Sequence, residues 1–431
     1  MTFFASYLLG RKRIPMELIS LFLLFLAIIL GFVRHMNTGL LSIAFALVLG
    51  RVAGIPDKAV IAGFNYSLFL ILLGVTYLFS IAQLNGSLAL LAEKIVALTG
   101  RHTAFVPIVI YLFSTVLSAL GPGTVPTIAI MMVFSMTLAA EMKIPPVMLA
   151  ALVVLGASGG GVSPLAATGI IAKNLCEQIG LSGVEAPFLI NGVLSMTIYA
   201  AVVYVALGGW RLHSTHVIHL FELPPFSAKQ KTTLMGIGVM VVLVMFFHFN
   251  VGLTSFAVAA VLSLLKVADE SEALKNVPWG TLILIGGVSV LMNLIIKLGG
   301  IELLSDTLAS VMTPETATAI MGVTAGCMSW CSSTSGVVMP TLIPAIPALF
   351  ANLGGGFDEI EMATSISMIS HCAGISPLST GGGLALAAYS SAAKASVQEQ
   401  HRLFIRLFAV SACGVLILSF LSYLGLFHWL L

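Results

Sequence analysis

The sequence predicts an all-α polytopic membrane protein made of two inverted copies of one unit, with about ten spans, two re-entrant hairpins and broken helices. Three observations predict it. Of 431 residues, 59% are apolar and 8% charged, and the mean hydropathy is +1.09, so the chain cannot cover itself with polar surface. Second, Gly161-Val162-Ser163-Pro164-Leu165 returns half the chain later as Gly374-Ile375-Ser376-Pro377-Leu378, and Gly169 is matched by Gly382. Pro126-Thr127 with Pro340-Thr341, and Gly74-Val75 with Gly287-Val288, keep nearly the same spacing. Third, clusters of Gly, Pro and Ser interrupt apolar stretches that would otherwise be continuous helix. In a duplicated membrane chain such breaks point to a midplane site between the copies.

The first apolar run, 14–33, follows Arg11-Lys12-Arg13 and lacks a small-residue cleavage site, so a retained span is expected rather than a signal peptide. With a second span at 37–53 it forms an N-terminal scaffold unit, 1–58. Residues 64–84 and 86–99 are broken at Asn85-Gly86, and the second arm carries Glu93 and Lys94 and is short for a crossing. A re-entrant hairpin is the favoured reading there; a full span plus a surface helix is the other. Residues 103–142 are interrupted at Gly121-Pro122-Gly123, and 147–180 at Ser158 to Pro164. Each has the length of one crossing made of two half-helices, and together with the hairpin they make a first repeat, 59–180. Spans at 187–209, 232–249 and 251–267 form a second scaffold unit, 187–267, around the polar connection 210–231. The second repeat, 274–394, holds a hairpin at 279–298 and 300–312 and broken crossings at 315–350 and 360–394; a last span near 403–430 lies in 401–431. Five crossings separate the two hairpins, and an odd number turns the second copy over. Lys and Arg are nearly balanced between the two faces. Those near Arg51, Lys58, Lys94 and Arg101 favour a cytoplasmic N-terminus in a multi-pass protein of the cell (inner) membrane.

The chemistry is concentrated in four breaks: Gly121 to Thr124, Ser158 to Pro164, Ser332 to Gly336, and His371 to Thr380. Unwound backbone in hydrocarbon costs several kcal/mol per unpaired polar group, so it persists only where it lines protein or a water-filled cavity. The helix after each break begins with free N–H groups and a positive dipole end, which suits an anion. Carbonyls at the preceding helix end suit a small cation. The candidate anion contacts are therefore Gly121, Pro122, Gly123, Thr124, Ser163, Pro164, Ser333, Thr334, Ser335, Ser376, Pro377, Ser379 and Thr380. Candidates for a coupling ion, Na+ or H+, are Ser118, Ser158, Gly160, Ser332, His371 and Gly374, with His371 able to carry a proton. Small-residue helix packing would explain one such run, but four runs paired by a repeat and carrying prolines favour a site. Lys173 and Lys297 sit near helix ends, where a long stem can snorkel.

Other chemistries find little support. His213, His216 and His219 match no closed structural metal site and read as a solvated loop. The five cysteines, Cys176, Cys327, Cys331, Cys372 and Cys413, lack metal-ligand spacing and are expected to be buried as small apolar groups. No GxxxxGK[ST], HExxH or GxSxG motif occurs, so neither an enzyme, an ATP-driven pump nor an organic cofactor is expected. A net charge of +2 gives no reason to expect nucleic acid as a partner; the lipid bilayer is one by composition.

At its breaks the chain resembles the ion transporter superfamily, and within it the malonate and C4-dicarboxylate carrier family, over about residues 15–425. The stretches GASGGGVSPLAATGIIAKNL at 156–175 and HCAGISPLSTGGG at 371–383 carry the resemblance. It implies an inverted-repeat, elevator-type transporter of di- or tricarboxylates, acting as a homodimer in which a transport domain moves against a scaffold. It also implies carboxylate binding at tips formed by Gly121 to Thr124 and Ser333 to Ser335, with Ser163-Pro164 and Ser376-Pro377 as companion segments and cation sites beside them. Related divalent-anion/sodium symporters carry Ser-Asn-Thr at both tips. Here the tips read Gly-Pro-Gly-Thr and Ser-Thr-Ser-Gly, so a proton competes with sodium as the coupling ion. A cation/proton antiporter or inorganic-anion exporter on the same architecture, and the membrane subunit of a binding-protein-dependent system, are the alternatives. An antiporter usually needs a membrane-buried Asp or Glu, whereas Glu93, Glu141, Glu177, Asp306 and Glu315 fall near predicted ends.

Overall fold

The computed structural model describes residues 15–97, 102–212 and 223–428; the three loop histidines, His213, His216 and His219, lie outside them. Among the described residues, ten α-helical segments in the first half recur in the same order in the second. The first copy comprises α1 (Met16–Val33), α2 (Thr38–Ala53), α3 (Asp57–Ile61), α4 (Tyr66–Leu84) and α5 (Ser87–Ala97). It continues through α6 (Phe105–Ala119), α7 (Thr124–Met142), α8 (Pro146–Gly161), α9 (Ala167–Gln178) and α10 (Glu185–Ala206). Its counterparts are α11 (Ala228–Phe247), α12 (Val251–Leu264), α13 (Glu270–Lys275), α14 (Trp279–Lys297), α15 (Gly300–Ala309), α16 (Ala317–Cys331), α17 (Thr334–Asn352), α18 (Glu359–Cys372), α19 (Thr380–Ala393) and α20 (Val397–Tyr423). The duplication thus runs further than the two repeats expected from sequence: it takes in the spans assigned there to scaffold units.

The repeat register, the offset that carries Gly161 onto Gly374, is built into the packing. It pairs Asn37, which caps α2, with Asn250, which caps α12; each side chain accepts from a backbone N–H in the first turn of its helix. Gly39 and Gly287 pack so closely that a Cβ on Gly287 would meet Gly39 O at 2.1 Å; a Cβ on Gly74 would meet Gly252 O at 2.3 Å. These are one crossing seen twice, α2 on α14 and α12 on α4. The paired Gly74-Val75 and Gly287-Val288 exist because only glycine lets the backbones approach this closely.

Contacts also settle the inversion. Helix α4 runs in the same sense as α12, with Ile71 and Gly74 against Gly252 and the Tyr77 hydroxyl 3.0 Å from Ser263 Oγ. Residues 54–65, which contain α3, are too few to carry the chain back across, so α4 is antiparallel to α2. Helix α12, the counterpart of α2, therefore runs opposite to it. Five crossings per copy (α1, α2, α4, the pair α8–α9, and α10) agree with this, giving ten in all.

Two hairpins are present, but not where the sequence suggested. Along α6 and α8, Tyr111 O faces Gly156 and Thr115 O faces Gly160, so these helices are parallel. Helix α7 returns along α8 through the short turn 143–145 and starts beside its end, Thr124 facing Gly161, so α7 is antiparallel to both. The segment 105–142 is thus the re-entrant hairpin, and 317–352 repeats it: Ser365 Oγ bonds Thr318 O and Ser329 Oγ bonds Ser370 O. Single broken crossings at 103–142 and 315–350 are corrected accordingly. The hairpins expected at 64–99 and 279–312 are each a full span, α4 or α14, followed by a short helix; α5, with 11 residues, is about 16 Å long, half the hydrocarbon thickness. The sequence misled because Asn85-Gly86 breaks the helix as a hairpin tip would, although it ends at a membrane face.

The helices fall into two packing groups. In one, α2 lies on α14 and α4 on α12; in the other, α6, α7 and α10 surround α8, α16 and α20 flank α18, and α19 lies along α7. Eight helices of the described residues are long and apolar enough to cross a membrane, α1, α4, α7, α10, α11, α14, α17 and α20.

Candidate functional site

Both hairpin tips are pinned the same way. Ser118 Oγ donates to Ala157 O at 2.7 Å, and Thr124 Oγ1 reaches the same carbonyl at 3.4 Å. In the second copy Ser329 Oγ and Thr334 Oγ1 bond Ser370 O at 2.7 and 2.9 Å, and Ser370 is the repeat counterpart of Ala157. One hydroxyl from each hairpin arm thus grips a carbonyl in the last turn of the crossing helix behind it. At the first tip Gly121 (φ +142°) and Gly123 (φ +77°) turn the chain through conformations closed to other residues, and a Cβ on Gly121 would strike the Phe79 ring at 2.3 Å.

The first tip, the first break and the second hairpin meet at one small cavity of about 30 Å³. Thr124 and Val125 come from the first turn of α7, Ala167 and Thr168 from that of α9, and Ser335 from that of α17; Pro122 closes the tip. Three helix N-termini therefore converge, each equivalent to roughly half a positive charge, and none of the lining residues is charged. Thr124 Oγ1 and Thr168 Oγ1 lie 3.3 Å apart. The other wall belongs to the packing group of α4 and α14: Leu72 and Thr76 of α4, and Thr281, Leu282 and Ile285 of α14. A cavity of this size holds about one water molecule, so the site is collapsed around its centre.

Of the residues picked from sequence, Pro122, Thr124 and Ser335 line this cavity, with Gly121 and Gly123 shaping the tip behind it. Ser163 and Ser376 serve their own turns, accepting from Leu165 N and Leu378 N at 3.2 Å each; Pro164 and Pro377 follow them. Ser332 Oγ bonds back to Met328 O, Ser333 Oγ caps Gly336 N, and Ser379 and Thr380 start α19 at a more open position, Thr380 exposed. Ser158 is buried and its hydroxyl has no partner; its counterpart in the second copy is His371, also buried. Because Ser367 O can only accept, the His371 Nδ1 at 2.7 Å carries the proton and Nε2 is left as an acceptor. Gly160 packs on Thr115 O, and Gly374 faces more open space.

Sequence reasoning missed Thr168, Ser329, Ser370, Thr76 and Thr281, which lie within helices rather than at breakers and so carry no local signal. It also missed Glu361, the buried carboxylate among the described residues, which sits in the first turn of α18 with His428 Nδ1 3.7 Å away and nearly three turns before His371. Lys173 pairs with Glu185 at 2.7 Å and Glu177 at 3.7 Å, and Lys297 is exposed, so neither reaches the cavity. Cys176 and Cys372 are buried as expected, whereas Cys327, Cys331 and Cys413 are exposed on the outer sides of α16 and α20. All five are free thiols.

This architecture is that of an all-α polytopic membrane protein. Over 85% of this chain and 86% of the other, it superposes on the crystal structure of the Alcanivorax borkumensis YdaH transporter, a protein described as having an unusual topology, with a TM-score of 0.58 at 13% sequence identity. Residues 14–161 match the family model of the dicarboxylate carrier protein MatC N-terminus, which takes in the first copy as far as the end of α8. About the first third of the chain is thus similar to a dicarboxylate carrier protein, and the chain as a whole shares its fold with YdaH. No curated protein matches it in sequence.

Proposed function

We propose that the protein is a secondary active transporter of small organic anions, di- or tricarboxylates such as malonate or a C4 acid, coupled to Na+ or H+. One observation carries the reading: the N-termini of α7, α9 and α17, from both copies, converge with hydroxyls of Thr124, Thr168 and Ser335 on one uncharged cavity. Converging amides and dipole ends hold a carboxylate without a buried cationic side chain. The cavity also lies between the two packing groups. A sliding of the hairpin group against α4 and α14, within a homodimer, would carry the bound anion from one face to the other. In this reading the coupling cation would sit at the carbonyl ends behind the tips; the orphaned Ser158 hydroxyl and its counterpart His371 support that position.

The test is uptake of labelled malonate, succinate and citrate into proteoliposomes under an imposed Na+ gradient, an imposed proton gradient, or neither. Saturable uptake of at least one acid, raised several-fold by one gradient, is expected. Saturable uptake of none of them would overturn the substrate class.

A further inference from the structure

A second, larger chamber of about 300 Å³ lies beside the inner cavity, and Ile171 and Ile285 line both. Its lining brings together five amide and hydroxyl residues, Asn65, Asn174, Gln178, Ser289 and Asn293, beside Tyr66, with no ionised group among the lining residues. Asn174 Oδ1 accepts from Asn65 Nδ2 and from Gln178 Nε2, at 2.8 Å each, so the Asn174 amide presents its NH2 as a free donor. The Asn293 carboxamide has its Oδ1 buried without a partner. Asn65, Ser289 and Asn293 lie at the start of α4 and on α14, Asn174 and Gln178 on α9.

The chamber has a side. Two crossings, α1 and α2, separate residue 16 from the loop at 62–65, so the chamber opens on the membrane face where α1 begins. The repeat counterparts of these five residues are Pro278, Ala387, Ser391, Thr76 and Ser80, which carry no carboxamide. The duplication supplied the two hairpin sites, but the amide lining exists at one face alone.

We infer that this chamber is an outer binding station for the carboxylate, resting on the proposed transport reading: the anion exchanges its hydration for carboxamide donors here before Ile171 and Ile285 part to admit it to the inner cavity. Magnitudes favour two stations. About 300 Å³ is at the lower end of the range for small-molecule sites, whereas about 30 Å³ holds one water. Neutral amides suit a transient stop, since they bind a carboxylate without the deep well of a buried ion pair.

The experiment compares Asn174→Asp with Asn174→Leu, near-isosteric changes that both remove the Asn174 NH2 while only the first adds a negative charge. Initial rates of malonate transport are measured in right-side-out and inside-out membrane vesicles, and malonate binding to the detergent-solubilised protein by calorimetry. N174D is expected to raise KM at least tenfold from the face where α1 begins, with kcat within about twofold, and N174L to raise it no more than about threefold. From the opposite face both should act like wild type. Equal effects of the two variants, or equal effects from both faces, would assign Asn174 to packing and overturn the station. Should wild type bind malonate with N174D sensitivity yet transport none, the transport reading fails while the station stands; transport with an unaltered N174D KM fails the station alone. Neither binding nor transport by wild type overturns both.

Discussion

The two hairpin-and-break units share a clamp and differ in almost everything around it. The first tip is turned by two glycines at positive φ, its return helix α7 is regular, and its break from Val162 to Ala166 is largely buried. The second tip is Ser332-Ser333 without a positive φ, and α17 opens with a wide turn in which Val338 N reaches back five residues to Ser333 O. That helix then tightens at Ile343–Ala345, because Pro340, Pro344 and Pro347 supply no N–H to its ladder. Past the second break, Leu378 and Thr380 are exposed. Duplication thus preserved the hydroxyls that hold each hairpin to its crossing helix and released the tips to diverge. What is shared is the mounting; what differs is the surface offered to a ligand from each side.

The largest expected effect breaks the comparison at one atom. A Cβ on Gly160 would lie 1.9 Å from Thr115 O and 2.8 Å from its carbonyl carbon, whereas the equivalent position in the second copy is already Ala373. Gly160→Ala should therefore cost at least the ~1–3 kcal/mol typical of overpacking, because rigid backbone must move. The neighbouring motif glycines, identical in sequence, should also part company. At Gly161 a Cβ meets the clamping Thr124 Oγ1 at 2.2 Å; at Gly374 the nearest atom is 3.7 Å away. Thermal unfolding of the detergent-solubilised protein should rank Gly160→Ala and Gly161→Ala as strongly destabilised and Gly374→Ala as near wild type. Similar losses at Gly161 and Gly374 would mean that the two breaks are packed alike.

Much of this was legible in the chain. The constant spacing between paired motifs located both breaks, because prolines and glycines that interrupt apolar helix announce themselves locally. The odd count of crossings gave the inversion only because two errors cancelled, 103–142 being counted as a crossing and α4 as a hairpin. The hairpins were misplaced because a break at a membrane face and one at the midplane look alike in sequence; only side-by-side packing tells whether two arms are parallel. Ser329 was missed for a related reason. The pattern at the first tip points to Ser118, but the second tip is one residue shorter between clamp hydroxyls, so the counterpart slips out of the repeat register, which would select Cys331.

A smaller effect sharpens the comparison at the cavity. Thr168 stands beside Thr124 in the first copy, and its repeat counterpart is Gly381, without a hydroxyl. If the first copy supplies the hydroxyls of the inner site, Thr168→Val removes one hydrogen bond of about 0.5–1.5 kcal/mol at constant shape, a rise in KM of about twofold to twelvefold. Initial-rate uptake in proteoliposomes reads it, and an unchanged KM would move the anion away from the α9 N-terminus.

The smallest effect separates the clamps themselves. Removing Ser118 leaves Ala157 O with a stretched contact to Thr124 at 3.4 Å, while removing Ser329 leaves Ser370 O with Thr334 at 2.9 Å. A buried carbonyl that loses its good partner keeps more of the desolvation penalty than one whose second hydroxyl already lies at hydrogen-bonding distance. Ser118→Ala should cost about 1–2 kcal/mol and Ser329→Ala less than about 1 kcal/mol, a difference visible in paired unfolding curves. The reverse order would require Thr124 to close on Ala157 once Ser118 is gone. The first tip would then be the looser of the two, and the glycines at positive φ would give it freedom to move rather than a fixed shape.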